Sequence, residues 1–376
     1  MRIRKKISAV ICTLLIPAML AGCWDSKELE DLAIPLVGAY DLILEEEKEY
    51  PDDKYLVTAG IPVFYENVQE KFHIIESTGR IVGESRGRRN TELGEVVIFG
   101  QLQMLIFGEE LAREENLLEL TDIISRNPAI KASLYLLVAK GRAVDLIRKP
   151  IYTYPNIGEY LKALLKNTKN SNFYPCTTLF SLNRDLISYE TSAILPHVIY
   201  SDGEISLAGS CLANKGKVVA EFGREETETL VMLRGIKCRG AVSFEVMEDG
   251  KAVDEATFEG SNSRKVTVER LDDKYLFNIQ IKLEGIITEH ANQKPIGGSD
   301  LPELFQTSLE QNIKRRAEEF VEKTQKELKF DTLSLANYIK AYTREKLTKE
   351  DIDKIVSESD INIEVKAHIR STGGKM

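Results

Sequence analysis

Residues 1–22 constrain this chain before its folding does. Arg2, Arg4, Lys5 and Lys6 precede a stretch of 14 almost uncharged, apolar residues, 7–20. A spanning helix needs about 20 residues, and Pro17 argues against a long uninterrupted helix, so the stretch reads as the h-region of a secretory signal. Leu20-Ala21-Gly22-Cys23 follows directly. Small residues before a cysteine at that point form a lipobox. The Cys23 thiol is expected to receive a diacylglyceryl group, with cleavage between Gly22 and Cys23 and acylation of the new amino terminus. One acyl chain holds a protein to a membrane marginally, whereas two anchor it stably. No later segment offers about 18 consecutive apolar residues, so the mature chain is expected on the outer face of a membrane without crossing it.

Charge then acquires a meaning. The 376 residues carry a formal charge of −9. Residues 1–22 hold four bases and no acids, so the mature chain stands at −9 − 4 = −13. That excludes a protein built mainly to bind nucleic acid. An anionic body also gains nothing from an anionic lipid surface, which leaves attachment to the lipid and to protein partners. At 43% hydrophobic residues the chain is too apolar to be disordered. Of five cysteines, Cys12 leaves with the signal and Cys23 is lipidated. Cys176, Cys211 and Cys238 lack the spacing of a disulfide framework or a zinc site. A single Cys211–Cys238 bridge and buried free thiols both remain open.

Along the mature chain, strand patterns occupy residues 33–44, 54–64 and 72–83, with an acidic hairpin loop at 45–53. Residues 98–108 read as one apolar strand, 109–115 and 117–126 as helical runs and 132–140 as a buried strand. Helices are expected at 143–149 and 157–169. After Pro196, short strands run from 198 to 222 and a helix from 225 to 233. Further strands are expected at 241–247, 252–259, 264–269 and 275–287. Residues 301–330 form a long amphipathic helix whose stripe includes Leu304, Phe305, Leu309, Ile313, Ala317, Phe320 and Val321. Its six acids and six bases over 301–329 make the polar face neutral, which suits packing on a protein core and not on a membrane. Short helices at 335–342 and 349–357 lead to a last strand, 362–369. Without a steady β-α-β-α rhythm, this order predicts multi-domain α+β structure with mixed, largely antiparallel sheets and packed helices.

Catalytic signals are thin. Gly83-Glu84-Ser85-Arg86-Gly87 is a literal G-x-S-x-G, the pattern of a nucleophile elbow. No oxyanion motif precedes it, and the histidines after it lie in unrelated contexts, so a glycine-containing loop is the simpler reading. Arg86, Arg88 and Arg89 make that loop basic, a candidate contact for an anion or an acidic partner. Glu109-Glu110 reads as the acidic first turn of a helix. Residues 209–217 fail the phosphate-loop spacing. Four scattered histidines give no metal site, and no cofactor is indicated.

The residues nonetheless carry a resemblance. Gly22-Cys23-Trp24-Asp25 with Glu28-Leu29 is similar to the start of the Ger(x)C family, the C subunits of the nutrient-germinant receptors of endospore-forming bacteria. Val37-Gly38-Ala39-Tyr40-Asp41 and Tyr55-Leu56-Val57-Thr58 resemble its first strand pair. Phe99-Gly100-Gln101-Leu102 through Ile106-Phe107-Gly108-Glu109-Glu110-Leu111-Ala112-Arg113 resembles its central signature, followed by Arg126-Asn127-Pro128 and 136–143. Residues 207–235, Gln325 with Asp331, and 363–373 resemble its C-terminal domain. Gln101 replaces a common histidine, and Ser334-Leu335-Ala336-Asn337 replaces a Phe-Gly pair, with Trp24 the sole tryptophan. The resemblance implies a signal peptide at 1–22, an N-terminal region at 23–197 divided into two subdomains, and a C-terminal domain at 198–376. It implies a non-enzymatic lipoprotein on the outer surface of the spore inner membrane, assembled with receptor A and B subunits and needed for nutrient-triggered germination. Two other classes share some of these features: a solute-binding lipoprotein with two α/β lobes, and a surface hydrolase using Ser85.

Overall fold

The computed structural model describes residues 31–63, 72–151, 153–188, 191–271, 274–291, 301–341 and 347–371, except the side chains of Glu92 and Leu301. The signal, the lipobox and Cys23 lie outside these residues.

The first part is built on an eight-stranded sheet. In chain order come β1 (Leu32–Ala33), β2 (Val37–Leu42), β3 (Tyr55–Pro62), β4 (Phe72–Gly79), helix α1 (Val82–Glu92), β5 (Val96–Val97) and β6 (Met104–Gly108). Helices α2 (Glu109–Glu114) and α3 (Leu117–Ser125) lead to β7 (Tyr135–Ala139). Helices α4 (Ala143–Ile147), α5 (Ile157–Ser171) and α6 (Leu179–Ile187) lead to β8 (Ala193–Ser201), β9 (Glu204–Asn214) and β10 (Lys217–Gly223). The strand order is β10-β9-β8-β7-β6-β2-β3-β4, with β1 and β5 paired separately.

The middle of this sheet is parallel, from β2 through β6 and β7 to β8. Antiparallel hairpins extend both sides. Continuous apolar runs, MLIFG in β6 and YLLVA in β7, are what strands covered on both faces require. One face packs Tyr40, Leu105 and Phe107 against Leu111, Leu120, Ile124 and Leu182. The other packs Val37, Met104 and Ile106 against Leu146, Ile157, Leu161 and Leu165. The parallel core escapes the sequence rhythm because two and then three helices intervene between successive parallel strands.

Helix α7 (Arg224–Arg234) then leads into a four-stranded sheet of β11 (Arg239–Glu248), β12 (Lys251–Leu271), β13 (Lys274–His290) and β14 (Asp360–Ile369), in that order. Helix α8 (Leu301–Glu327) packs Phe305, Leu309, Ile313, Ala317, Phe320 and Val321 into the same core as Phe258, Phe277, Ile281 and Val365. This is the amphipathic stripe expected from the sequence. Helices α9 (Ala336–Lys340) and α10 (Lys349–Glu358) close the end. The whole is mixed α+β, as expected.

Three expectations change. The division at 197/198 falls inside β8, and the eight-stranded sheet continues through β10, because β9 and β10 pair onto β8 and not onto the second sheet. The strands expected at 252–259 and 264–269 are one strand, β12, paired with β13 from Ala256 to Leu271. The loop expected at Ser85 to Asn90 is helix α1.

Candidate functional site

Helix α1 decides the fate of the G-x-S-x-G motif. Ser85 is fully buried, and its Oγ donates to Val82 O at 2.8 Å. It bonds no described histidine or carboxylate and faces no solvent, so it lacks the exposed geometry of an elbow. The helix also corrects the picture of an exposed basic patch. Arg88 donates through Nη1 to Asp53 Oδ1 and Oδ2 at 2.8 and 2.9 Å, and through Nη2 to Glu84 Oε1 at 3.0 Å. It also lies over the Tyr50 ring at 4.3 Å. Burial alone would push the Asp53 carboxyl up, but Arg88, Thr78 and the Tyr50 N–H hold it below the usual range. Arg88 therefore fastens the acidic 45–53 loop to α1.

Arg89 turns inward and is only 3% exposed. Arg86 is half-buried beside it. Both guanidinium groups sit over the Phe99 ring, at 5.4 and 5.5 Å. They border a cavity of about 30 Å³ between α1 and the sheet, with Gly38, Tyr40, Leu102 and Leu105 in its wall. Burial pushes the Tyr40 phenol up to about 12, against the pull of the two arginines.

A second cluster lies across β8, β9 and β10, where strand pairing brings together residues that no spacing rule connects. Ligand-type atoms of His197, Cys211 and Glu221 lie within 4.8 Å of one another. The sequence reading of scattered histidines missed this, because each residue sits on a different strand. His197 Nε2 is buried without a hydrogen-bond partner, and burial pushes its pKa down, which keeps it neutral. Burial pushes the Cys211 thiol up. These three are the described residues that could hold a metal ion. Glu221, however, is already engaged on both oxygens, by Arg113 and by Lys140 at 3.4 Å. A metal would have to displace one of these ion pairs.

Glu109 belongs to the same network. It accepts from the Gly141 N–H at 3.0 Å and from Lys140 Nζ at 3.0 Å, in the acidic first turn expected of α2. Burial alone would raise its pKa, but these donors hold it down to about 2 against an ordinary 4.5. The stability it contributes is therefore complete above pH 4.5 and is lost as pH falls through about 2. Glu109→Gln is expected to remove that part of the acid dependence, read from denaturation midpoints across the acid range.

The two parts of the molecule meet around Asp331. Arg234 donates to Ser192 O, Ser192 Oγ and Thr332 O at 2.8, 2.6 and 2.7 Å. Ser192 Oγ donates to Asp331 O at 3.0 Å. Gln325 Nε2 donates to Val356 O and Ser359 O at 3.0 and 2.9 Å. Gln325 and Asp331, two residues of the family resemblance, are thus parts of the framework. Cys211 and Cys238 are both free thiols in separate cores, and Cys238 Sγ donates to Tyr174 O at 3.4 Å. The pairing of one α/β layered part with one sheet-and-helix part is not the twin α/β lobes of a solute-binding protein.

Comparisons with known proteins agree with this architecture. A family model described as "Spore germination protein N-terminal domain" matches residues 25–200. One described as "Spore germination B3/ GerAC like, C-terminal" matches residues 208–373. The chain is 25% identical to "Spore germination protein B3" of Bacillus subtilis (strain 168), over 99% of both chains. It is 24% identical to "Spore germination protein YndF" of the same strain, over 99% of this chain and 98% of that one. "Spore germination protein GerQC" of Bacillus cereus is 22% identical over 82% of this chain and 83% of its own. The crystal structure of the GerBC protein shares the fold, with a TM-score of 0.55 at 20% identity, covering 88% of this chain and 97% of that one. Fold and matches together define a spore germination protein of two joined parts. The chain belongs to the GerAC-like, or Ger(x)C, family of spore germination proteins. The first family model ends at residue 200 and the second begins at residue 208, although the eight-stranded sheet runs on to residue 223.

Proposed function

We propose that this chain is the lipid-anchored C subunit of a spore germinant receptor, and that it acts by assembly with the A and B subunits and not by catalysis. The observation that carries the proposal is the match of both family models along residues 25–373, directly after a leader that ends in Leu20-Ala21-Gly22-Cys23. The anchor would be the diacylglyceryl group on Cys23, with the body on the outer surface of the spore inner membrane. A mature charge of −13 supports lipid and protein attachment over electrostatic adsorption. The buried, backbone-bonded Ser85 supports the non-catalytic reading.

Two measurements test this. Deleting the gene in a sporulating host without a redundant receptor is expected to abolish the nutrient-triggered loss of refractility, and normal germination to every nutrient would refute the role. Cys23→Ala is expected to shift the protein from the membrane to the soluble fraction, since without acyl chains it has no anchor. Unchanged fractionation would refute the anchor alone.

A further inference from the structure

Arg89 is an anomaly within its own molecule. Other inward-turned arginines here are compensated. Arg88 pairs with Asp53, and Arg316 pairs with Glu225 and Glu228. Arg234 donates to three oxygens, and Arg264 donates to Leu233 O and Leu333 O at 2.6 and 2.9 Å. Arg89, at 3% exposure, donates to no described acceptor, and its Nε is buried and unpartnered. Its neighbours are the Phe99 ring, the Tyr40 phenol and a second cation, Arg86. A buried charge without a partner is costly, and a like charge nearby adds to the cost. Burial accordingly pushes the Arg89 pKa down. Water in the cavity would satisfy donors but would not neutralise two guanidinium groups. An anion does both.

We infer that the cavity between Arg86, Arg89, Tyr40 and Gly38 is a binding site for a small carboxylate anion. Its volume, about 30 Å³, is that of roughly two water-sized probe spheres, which suits a carboxylate group and not a large metabolite. A planar guanidinium fork matches a carboxylate in bidentate fashion. Leu102, Leu105 and Ile124 offer an apolar wall for a short alkyl tail, and no acidic side chain lines the cavity. A cationic ligand is therefore excluded, and an ammonium group on the ligand would find no counter-charge.

The test uses the full-length lipoprotein in detergent, with acetate and formate as probes against chloride at matched ionic strength. Acetate or formate is expected to raise the thermal midpoint of the wild type above its value in chloride. Arg89→Met is expected to abolish that anion-dependent rise while unfolding in chloride no earlier than the wild type, since an apolar side chain replaces an uncompensated charge. Gly38→Ala keeps both arginines. Its Cβ would sit 3.2 Å from Leu105 Cδ1 and narrow the cavity, and it is expected to weaken acetate binding by about tenfold or more in titration calorimetry. Equal wild-type midpoints in acetate, formate and chloride would overturn the inference. So would a rise produced by inorganic phosphate alone, or an acetate response retained in both variants.

Discussion

Gly108→Ala is expected to destabilise the protein by about 2–6 kcal/mol, the combined cost of leaving two buried N–H donors without an acceptor. Gly108 has ordinary extended backbone, φ −65° and ψ 150°, so conformational freedom is not the reason for glycine. The reason is approach: an added Cβ would lie 2.1 Å from Asp41 Oδ1. The Asp41 carboxylate cannot simply move aside. It is 2% exposed and accepts the Ala143 and Val144 N–H groups at 2.7 and 2.9 Å, at the start of α4. The methyl group must either push the carboxylate off the helix terminus or part β6 from β2. The expectation is sharply non-additive. Asp41→Ala alone leaves the same two donors unsatisfied, and once it is present the added methyl at position 108 meets no carboxylate. The double variant is therefore expected to unfold in urea close to Asp41→Ala alone. Simple additivity of the two losses would show that the contact is not what requires glycine. Asp41 and Gly108 both lie in segments that carry the family resemblance, so this contact gives a physical reason for two of its positions.

Much of this fold was legible because its drivers are apolar and periodic. The β6 and β7 runs, the stripe of α8 and the alternation of β11 and β14 each identify a strand or helix without tertiary knowledge. Helix α1 was not legible. Its buried positions, Val82, Ser85 and Arg89, have helical spacing, but two of the three are polar, so a hydrophobic pattern does not register them. Its two glycines, Gly83 and Gly87, point further toward a loop. Helix α6 was missed for a related reason: its stripe is only Leu179, Leu182 and Leu186, and its capping box uses Ser181 where glutamate or glutamine is the familiar signal. The apparent turn at Gly260-Ser261-Asn262-Ser263 is interior to β12. Gly260 faces Gly285 across the pair, and the Phe258 ring occupies the space a Cβ would need: an added Cβ would lie 2.4 Å from Phe258 Cζ at position 260 and 2.7 Å from it at position 285. Glycine there marks close approach and not a bend.

The arginines of α1 were legible as a group but not in their separate contacts. Sequence singled out Arg86, Arg88 and Arg89 as one basic group. Helical spacing divides them, since Arg86 and Arg89, three residues apart, share one face of the helix and Arg88 points away from it. Arg88 is used to hold the 45–53 loop, while Arg86 and Arg89 converge on Phe99. The His197, Cys211 and Glu221 cluster was illegible in principle, since it depends on which strands pair and in what register.

Asp331→Ala is expected to cost about 3–5 kcal/mol, the range for breaking a buried charged network, and to do so locally before it does so globally. Asp331 is completely buried. Its Oδ1 accepts the Leu333 N–H at 3.0 Å, and its Oδ2 accepts the Leu335 and Ala336 N–H groups at 2.7 and 2.9 Å. These bonds shape the turn into α9, where Ser334 adopts a left-handed φ of 58°. Its own N–H donates to Asp353 Oδ1 at 2.9 Å on α10, and its carbonyl accepts from Ser192 at the edge of the first part. Removing the carboxylate thus leaves three buried donors unmet and takes away the acid that most favours the Arg234 charge, with the Asp185 carboxylate remaining. Asp331→Asn keeps one acceptor oxygen but turns an amide NH₂ toward N–H donors, so it is expected to recover less than half of the loss. Amide exchange is the discriminating measurement. Leu333, Leu335 and Ala336 are expected to lose protection to a level below that of β12 and β13, because the turn opens while the sheet stays intact. If all amides lost protection equally, the damage would be global and Asp331 would be a general stability determinant. If exchange and midpoint were both unchanged, the turn would be held by the packing of Leu333, Leu335 and Ile339 alone.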